Sequence, residues 1–190
     1  SYIGSFNSAQ GRRFNQKKYV PSLATLNVLY EKNKIAEIGY CDESLGSEGE
    51  DAELNYRLYS AGWRFQFIPE SYVWHKMRPT PKTWLKNMFR YGKARARLLK
   101  RYPGMWSLPF ILPLLFILSI SSIALAPFFD IFYLPLLYLP IIFVVSTLQC
   151  LKNQTPHLFP QIVLVYLIQH FGYAAGEAYG LLHPDVKWSS

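Results

Sequence analysis

Four acids, Glu48, Glu50, Asp51 and Glu53, fall within six residues of a chain that otherwise favours bases, with 20 Lys and Arg against 12 Asp and Glu. Two chemistries fit acids placed just ahead of "AELNYRLYSAGW". Ser47 followed three residues on by Glu50 matches a capping box, and negative charge at a helix N-terminus gains from the helix dipole. The alternative is that these carboxylates carry the chemistry of a reaction rather than only starting a helix. The pattern alone does not rank the four. Three further groups carry chemistry: His75 after an extended stretch, Arg90 and Lys93 within a basic segment, and His170 with Glu177 inside an apolar one.

The elements around the acids follow from periodicity. "ATLNVLY" (Ala24 to Tyr30) is consistent with a short strand. "EKNKIAEIGYCDESL" gives a short helix ending at Gly39, then an acidic turn. "EDAELNYRLYSAGW" is a better helix, with Leu54, Leu58 and Ala61 on one face and Gly62 as its stop. Glu53 and Arg57 form an i, i+4 pair, expected on its surface. "RFQFIPE" alternates and reads as a strand ended by Pro69. Strand, helix, acidic loop, helix and strand make an α/β layer too small to be a complete domain.

"PKTWLKNMFRYGKARARLLKRY", Pro81 to Tyr102, is amphipathic at helical period. Trp84, Leu85, Met88, Phe89, Ala96 and Leu99 share a face, while Lys82, Lys86, Arg90, Lys93, Arg97, Lys100 and Arg101 cover the other. Arg95 alone breaks the pattern, and Gly92 is a candidate break between two helices. Such a segment suits the plane of a membrane interface, where each basic residue contributes about 1 kcal/mol toward anionic headgroups. It also suits holding the phosphates of a nucleotide or lipid pyrophosphate.

Beyond it the chain is apolar. Tyr102 to Phe129 is an uncharged run of 28 residues, Ile131 to Leu151 a second, and Asn153 to Gly176 a third. Three membrane helices are expected, over about 107–126, 131–150 and 158–182. Ten Lys and Arg between Lys76 and Arg101 put the preceding part in the cytosol, and three crossings put the C-terminus outside. On the last helix Tyr166, His170, Tyr173 and Glu177 share a face, and Gly172, Gly176 and Gly180 form a stripe suited to close helix packing. Glu177 either lines a path for a polysaccharide or lipid headgroup, or reaches water near the outer interface beside His183 and Asp185.

The ordered set from "NVLYEKNK" through "GEDAELNYRL", "AGWRF" and "FRYGKAR" resembles the C-terminal half of a family-2 GT-A glycosyltransferase, closest to membrane-anchored bacterial exopolysaccharide enzymes of the succinoglycan type. The resemblance implies an α/β half-domain over residues 1–80, an amphipathic interface helix over 81–104 and a bundle of three transmembrane helices over 105–190. It implies inverting transfer of a sugar from a nucleotide-sugar to a lipid-linked or growing polysaccharide acceptor. Asp51 then falls on the general base, with Glu50 supporting it. Arg90 and Lys93 become contacts for phosphate or acceptor, and His75 a candidate ligand for Mg2+ or Mn2+. The family's Gln-x-x-Arg-Trp is here "NMFRY", with only the arginine kept, which argues against processive polymerisation.

Those relatives hold metal and nucleotide on an Asp-x-Asp, and no such motif occurs here. The chain therefore reads as a piece of a longer membrane enzyme, inactive alone, with anionic lipids and other polysaccharide-assembly subunits as partners. A non-catalytic membrane assembly or scaffold subunit is the alternative. Nucleic acid is excluded as a partner because the basic face would be confined to the bilayer. Cys41 and Cys150 imply neither a disulfide framework nor a zinc site.

Overall fold

The computed structural model describes residues 17–20, 22–23, 25–45, 49–74, 80–106 and 108–183. They fall into two units that divide between Met77 and Arg78.

In the first unit the alternation around Gln66 forms a strand: Phe65 and Phe67 are buried and Gln66 is exposed. This strand, β2 (Phe65–Phe67), pairs antiparallel with β1 (Lys18–Val20), Lys18 opposite Phe67 and Val20 opposite Phe65. Helix α1 (Lys32–Glu37) ends where Gly39 takes a φ of 83°. Helix α2 (Glu50–Ser60) ends at Ala61, and Gly62 follows at a φ of 95°. Leu54 and Leu58, one turn apart on α2, pack with Val20, Phe65 and Phe67 into a small core flanked by Leu23, Val28, Tyr30, Ile35 and Ile38.

The second unit is helical. α3 (Pro81–Arg101) runs unbroken through Gly92. Thr80 caps it, accepting from the Thr83 amide at 3.2 Å, with Pro81 at the first helical position. α4 (Leu108–Ser121), α5 (Tyr138–Asn153) and α6 (Phe159–Leu182) follow, with 3-10 turns at Ser122–Leu125 and Asp130–Leu137.

The expected α/β half-domain with three membrane helices is corrected on both counts. Among the described residues the only sheet has two strands, and helix dominates. Only the 3-10 turn Thr25–Asn27 forms within "ATLNVLY", with Leu26 and Leu29 largely exposed. The strand that pairs with β2 comes instead from Lys18–Val20, where the sequence carries no alternation long enough to signal one.

Among the described residues two helical stretches, not three, are long and apolar enough to cross a membrane: Asp130–Asn153 and Pro156–Leu182. α4 has 14 residues, about 21 Å at 1.5 Å per residue, short of the ~30 Å needed. It tightens into 3-10 geometry after a run of serines, where the Ser122 hydroxyl donates to the Ser119 carbonyl at 2.7 Å.

α3 is also not the free amphipathic helix its pattern suggests. It lies along α6 in the same chain direction: Leu85 and Met88 meet Gly172, Phe89 meets Gly176, and Lys93 and Ala96 meet Gly180. Gly92 answers from α3, its missing side chain leaving room for the Tyr173 carbonyl and the Glu177 amide. The glycine stripe thus receives the basic helix. At the far end Lys100 Nζ donates to the carbonyls of Gly180 and His183, both at 2.7 Å, covering acceptors that the helix end leaves open.

Candidate functional site

Glu50, Asp51 and Glu53 all lie in the first turn of α2, behind Gly49 in left-handed conformation at φ 85°. Gly49, the residue at the N-cap, has no side chain to cap this end. The expected capping serine, Ser47, lies outside the described residues, as does Glu48. The structure separates the remaining three acids. Glu53 is buried, 1% exposed, and is not the surface residue expected. Arg57 holds it through two bonds, Nε to Oε1 at 2.5 Å and Nη2 to Oε2 at 2.7 Å. Glu50 and Asp51 are half-buried, and Asp51 Oδ1 accepts from the Ala52 amide at 2.7 Å.

Asp51 has neighbours that sequence periodicity did not supply. The Tyr30 hydroxyl donates to Asn55 Oδ1 at 2.9 Å, and its ring meets Phe65 edge-on with centroids 5.9 Å apart. Asn55 is itself buried and donates to Ser22 Oγ and to the Leu23 carbonyl. Burial pushes the Tyr30 phenol up to about 12, and the negative charges of Asp51 and Cys41 add to the shift. The Asp51 carboxylate at the N-terminal end of α2 therefore acts on the Tyr30 phenol. Chemically this is a carboxylate at a positive helix end beside a phenol that stays protonated, suited to receiving a proton from a bound hydroxyl.

In the second unit Arg90 and Lys93 occupy α3, both half-buried. Lys93 Nζ stands 5.6 Å from the Tyr179 ring centroid. The polar stripe on α6 forms as its spacing predicts, and the hydrogen bonds of its members reach two helices, α5 and α3. Tyr166 donates to Gln149 Oε1 on α5 at 2.9 Å, and His170 Nδ1 lies 2.9 Å from the Tyr138 hydroxyl, also on α5. The Tyr173 hydroxyl accepts from Arg95 Nε on α3 at 3.2 Å. Arg95, the one base out of pattern, also lies 3.9 Å over the Phe110 ring of α4. Glu177 is fully buried at the α3–α6 seam and does not reach water. Neither of its carboxylate oxygens has a hydrogen-bond partner among the described residues.

His75 lies outside the described residues. Among those described, no group of three or more His, Cys, Asp or Glu could hold a metal ion. The described residues do not by themselves fit the divalent metal that the resemblance implies.

Residues 6–150 match the family model for glycosyl transferase family group 2, so the chain belongs to that family. The pre-mycofactocin glycosyltransferases of two strains of Mycobacterium tuberculosis are 35% identical to it over 85 residues, 45% of this chain and 17% of theirs. The chain thus spans a small part of the length of these relatives. No solved structure matches it.

Proposed function

We propose that these residues belong to a membrane-bound glycosyltransferase that moves a sugar, with inversion, from a nucleotide-sugar to a lipid-linked or growing exopolysaccharide acceptor. Asp51 is the general base and Glu50 its support. The observation that carries this reading is the half-buried Asp51 carboxylate at the N-terminus of α2, inside the segment that matches the family. Arg90 and Lys93 contact phosphate or acceptor, and their neighbours on the basic face meet anionic lipid. Nucleotide and divalent metal are held by residues beyond this chain, so the 190 residues alone transfer nothing. Other polysaccharide-assembly subunits are the natural partners of such an enzyme.

The membrane arrangement supported best is a hairpin of two crossings, residues 130–153 and 156–182, in the cell membrane. α3 runs beside the C-terminal half of α6, and Lys100 reaches the last carbonyls of that helix. Both ends then share the cytosolic face with α3, and the turn near Asn153 lies outside.

Replacing Asp51 by Asn in the full-length protein tests the base. General-base loss lowers sugar transfer by about 10²–10⁴-fold. Near-normal turnover removes Asp51 from that role, and transfer by the isolated 190 residues shows that no other part is needed.

A further inference from the structure

Arg57 does more than neutralise Glu53. Its guanidinium also donates from Nη1 to the Ile38 carbonyl at 2.5 Å and from Nη2 to the Tyr40 carbonyl at 2.6 Å. These carbonyls bracket an unusual backbone: Gly39 at φ 83° is followed by Tyr40 at φ 63°, left-handed without being glycine. A side chain is disfavoured in that region, so something must hold it. Burial does not, because Tyr40 is 54% exposed. The helix-ending bonds Gly39 N to Ala36 O and Tyr40 N to Ile35 O contribute. Arg57 pins the same turn from α2, and is itself pinned by a buried carboxylate.

What the turn carries is Cys41 and Asp42. Cys41 is exposed, and a thiolate there would bear on the same Tyr30 phenol as the Asp51 carboxylate. Asp42 fixes the far side of the turn, its Oδ1 accepting from the Ser44 amide at 2.9 Å and the Ser44 hydroxyl at 2.6 Å. Glu53 and Arg57 thus tie the segment Ile38–Asp42 to the helix whose first turn presents Asp51.

We infer that Arg57 is a positioning residue: held by Glu53, it fixes the turn Ile38–Asp42 against α2, whose first turn presents Asp51, and so shapes the wall against which the acceptor hydroxyl is bound. This rests on the reading of Asp51 as the base. Lysine cannot replace Arg57 fully, because a single ammonium does not span a carboxylate and two carbonyls as a guanidinium fork does.

The test uses the full-length protein in its own membranes, as wild type, Arg57→Lys, Arg57→Met, Glu53→Met with Arg57→Met, and Asp51→Asn. The double variant avoids stranding a buried carboxylate, which could unfold the single one. One readout is the rate at which N-ethylmaleimide modifies Cys41, followed on its own peptide by mass spectrometry. The other is incorporation of radiolabelled sugar into the lipid extract from UDP-glucose, UDP-galactose and GDP-mannose, tested separately.

Both methionine variants are expected to change the Cys41 rate about tenfold, with incorporation falling by up to about a hundredfold, the cost of misplacing reacting groups by about 1 Å. Arg57→Lys should fall between. An unchanged Cys41 rate in the methionine variants overturns the proposal, and so does normal incorporation in them where Asp51→Asn abolishes it. If Asp51→Asn keeps normal incorporation while Cys41 still responds, the base reading falls and takes the acceptor role of the turn with it, leaving the clamp as architecture alone.

Discussion

The Phe89 carbonyl oxygen occupies the place of a side chain on Gly176: a Cβ there would lie 2.0 Å from it. Two effects of Gly176→Ala oppose each other. Helix propensity favours alanine by about 1 kcal/mol. The contact is with backbone, which cannot swing aside, so α3 and α6 must separate, and overpacking of this kind costs about 1–3 kcal/mol. Packing wins, and the melting temperature in detergent should fall. Gly39→Ala is the comparison: a Cβ there meets nothing within 4 Å, so its cost is the left-handed φ alone.

The residues on each face of α6 could be named in advance, because a period of 3.6 dictates which side chains align. What each face meets is a tertiary fact. The glycine stripe suited any close helix, and only the structure gives it α3. Arg95 was visible as an exception to its pattern, and the exception marks the Tyr173 and Phe110 contacts. The i, i+4 pair Glu53–Arg57 was legible too, but its burial was not, since nothing local says that Ile38 and Tyr40 return to cover it. β1 lay in a stretch with no periodic signal, its partner 45 or more residues away in sequence. Asp51 stood out among four acids only through the likeness to a family. The structure separates it from buried Glu53 on independent grounds.

Lys100 ties the end of α3 to the end of α6 by two charge-assisted bonds to carbonyls. Its side chain is exposed, so the loss in Lys100→Met should be modest, about 1 kcal/mol. The effect should be local. Amide hydrogen exchange is expected to quicken over the last turn of α6, around Tyr179 to Leu182, and to stay unchanged near Phe159. Uniform protection along α6 in the variant would show that the bonds do not hold that end.

Tyr30 gives a pH signature. Its phenol ordinarily titrates near ~10, and in the fold it is raised to about 12, first by burial and then by the charges of Asp51 and Cys41. The folded state therefore binds the proton more tightly than the unfolded one. The stability this contributes is complete below pH ~10 and is lost as the pH rises through about 12. Asp51→Asn removes the second cause and leaves the first. The Tyr30 titration, read as phenolate absorbance against a Tyr30→Phe control, should move down while staying above the ordinary value. No movement would mean that Asp51 does not face Tyr30.

The two-crossing hairpin makes a prediction that three crossings reverse. Both arrangements put α3 in the cytosol, because its basic residues do not translocate easily. With three crossings the end of α6 is external and the turn near Asn153 is cytosolic. With two, the ends exchange sides, and the end of α3 that Lys100 ties to the end of α6 stays on the cytosolic side. Single cysteines in a full-length protein cleared of its own cysteines decide between them. In intact cells an impermeant maleimide should label Asn153→Cys directly, and should label His183→Cys only after permeabilisation. External labelling of His183→Cys with Asn153→Cys protected would put the C-terminal end outside. The Lys100 bonds to Gly180 and His183 would then have to break in the membrane.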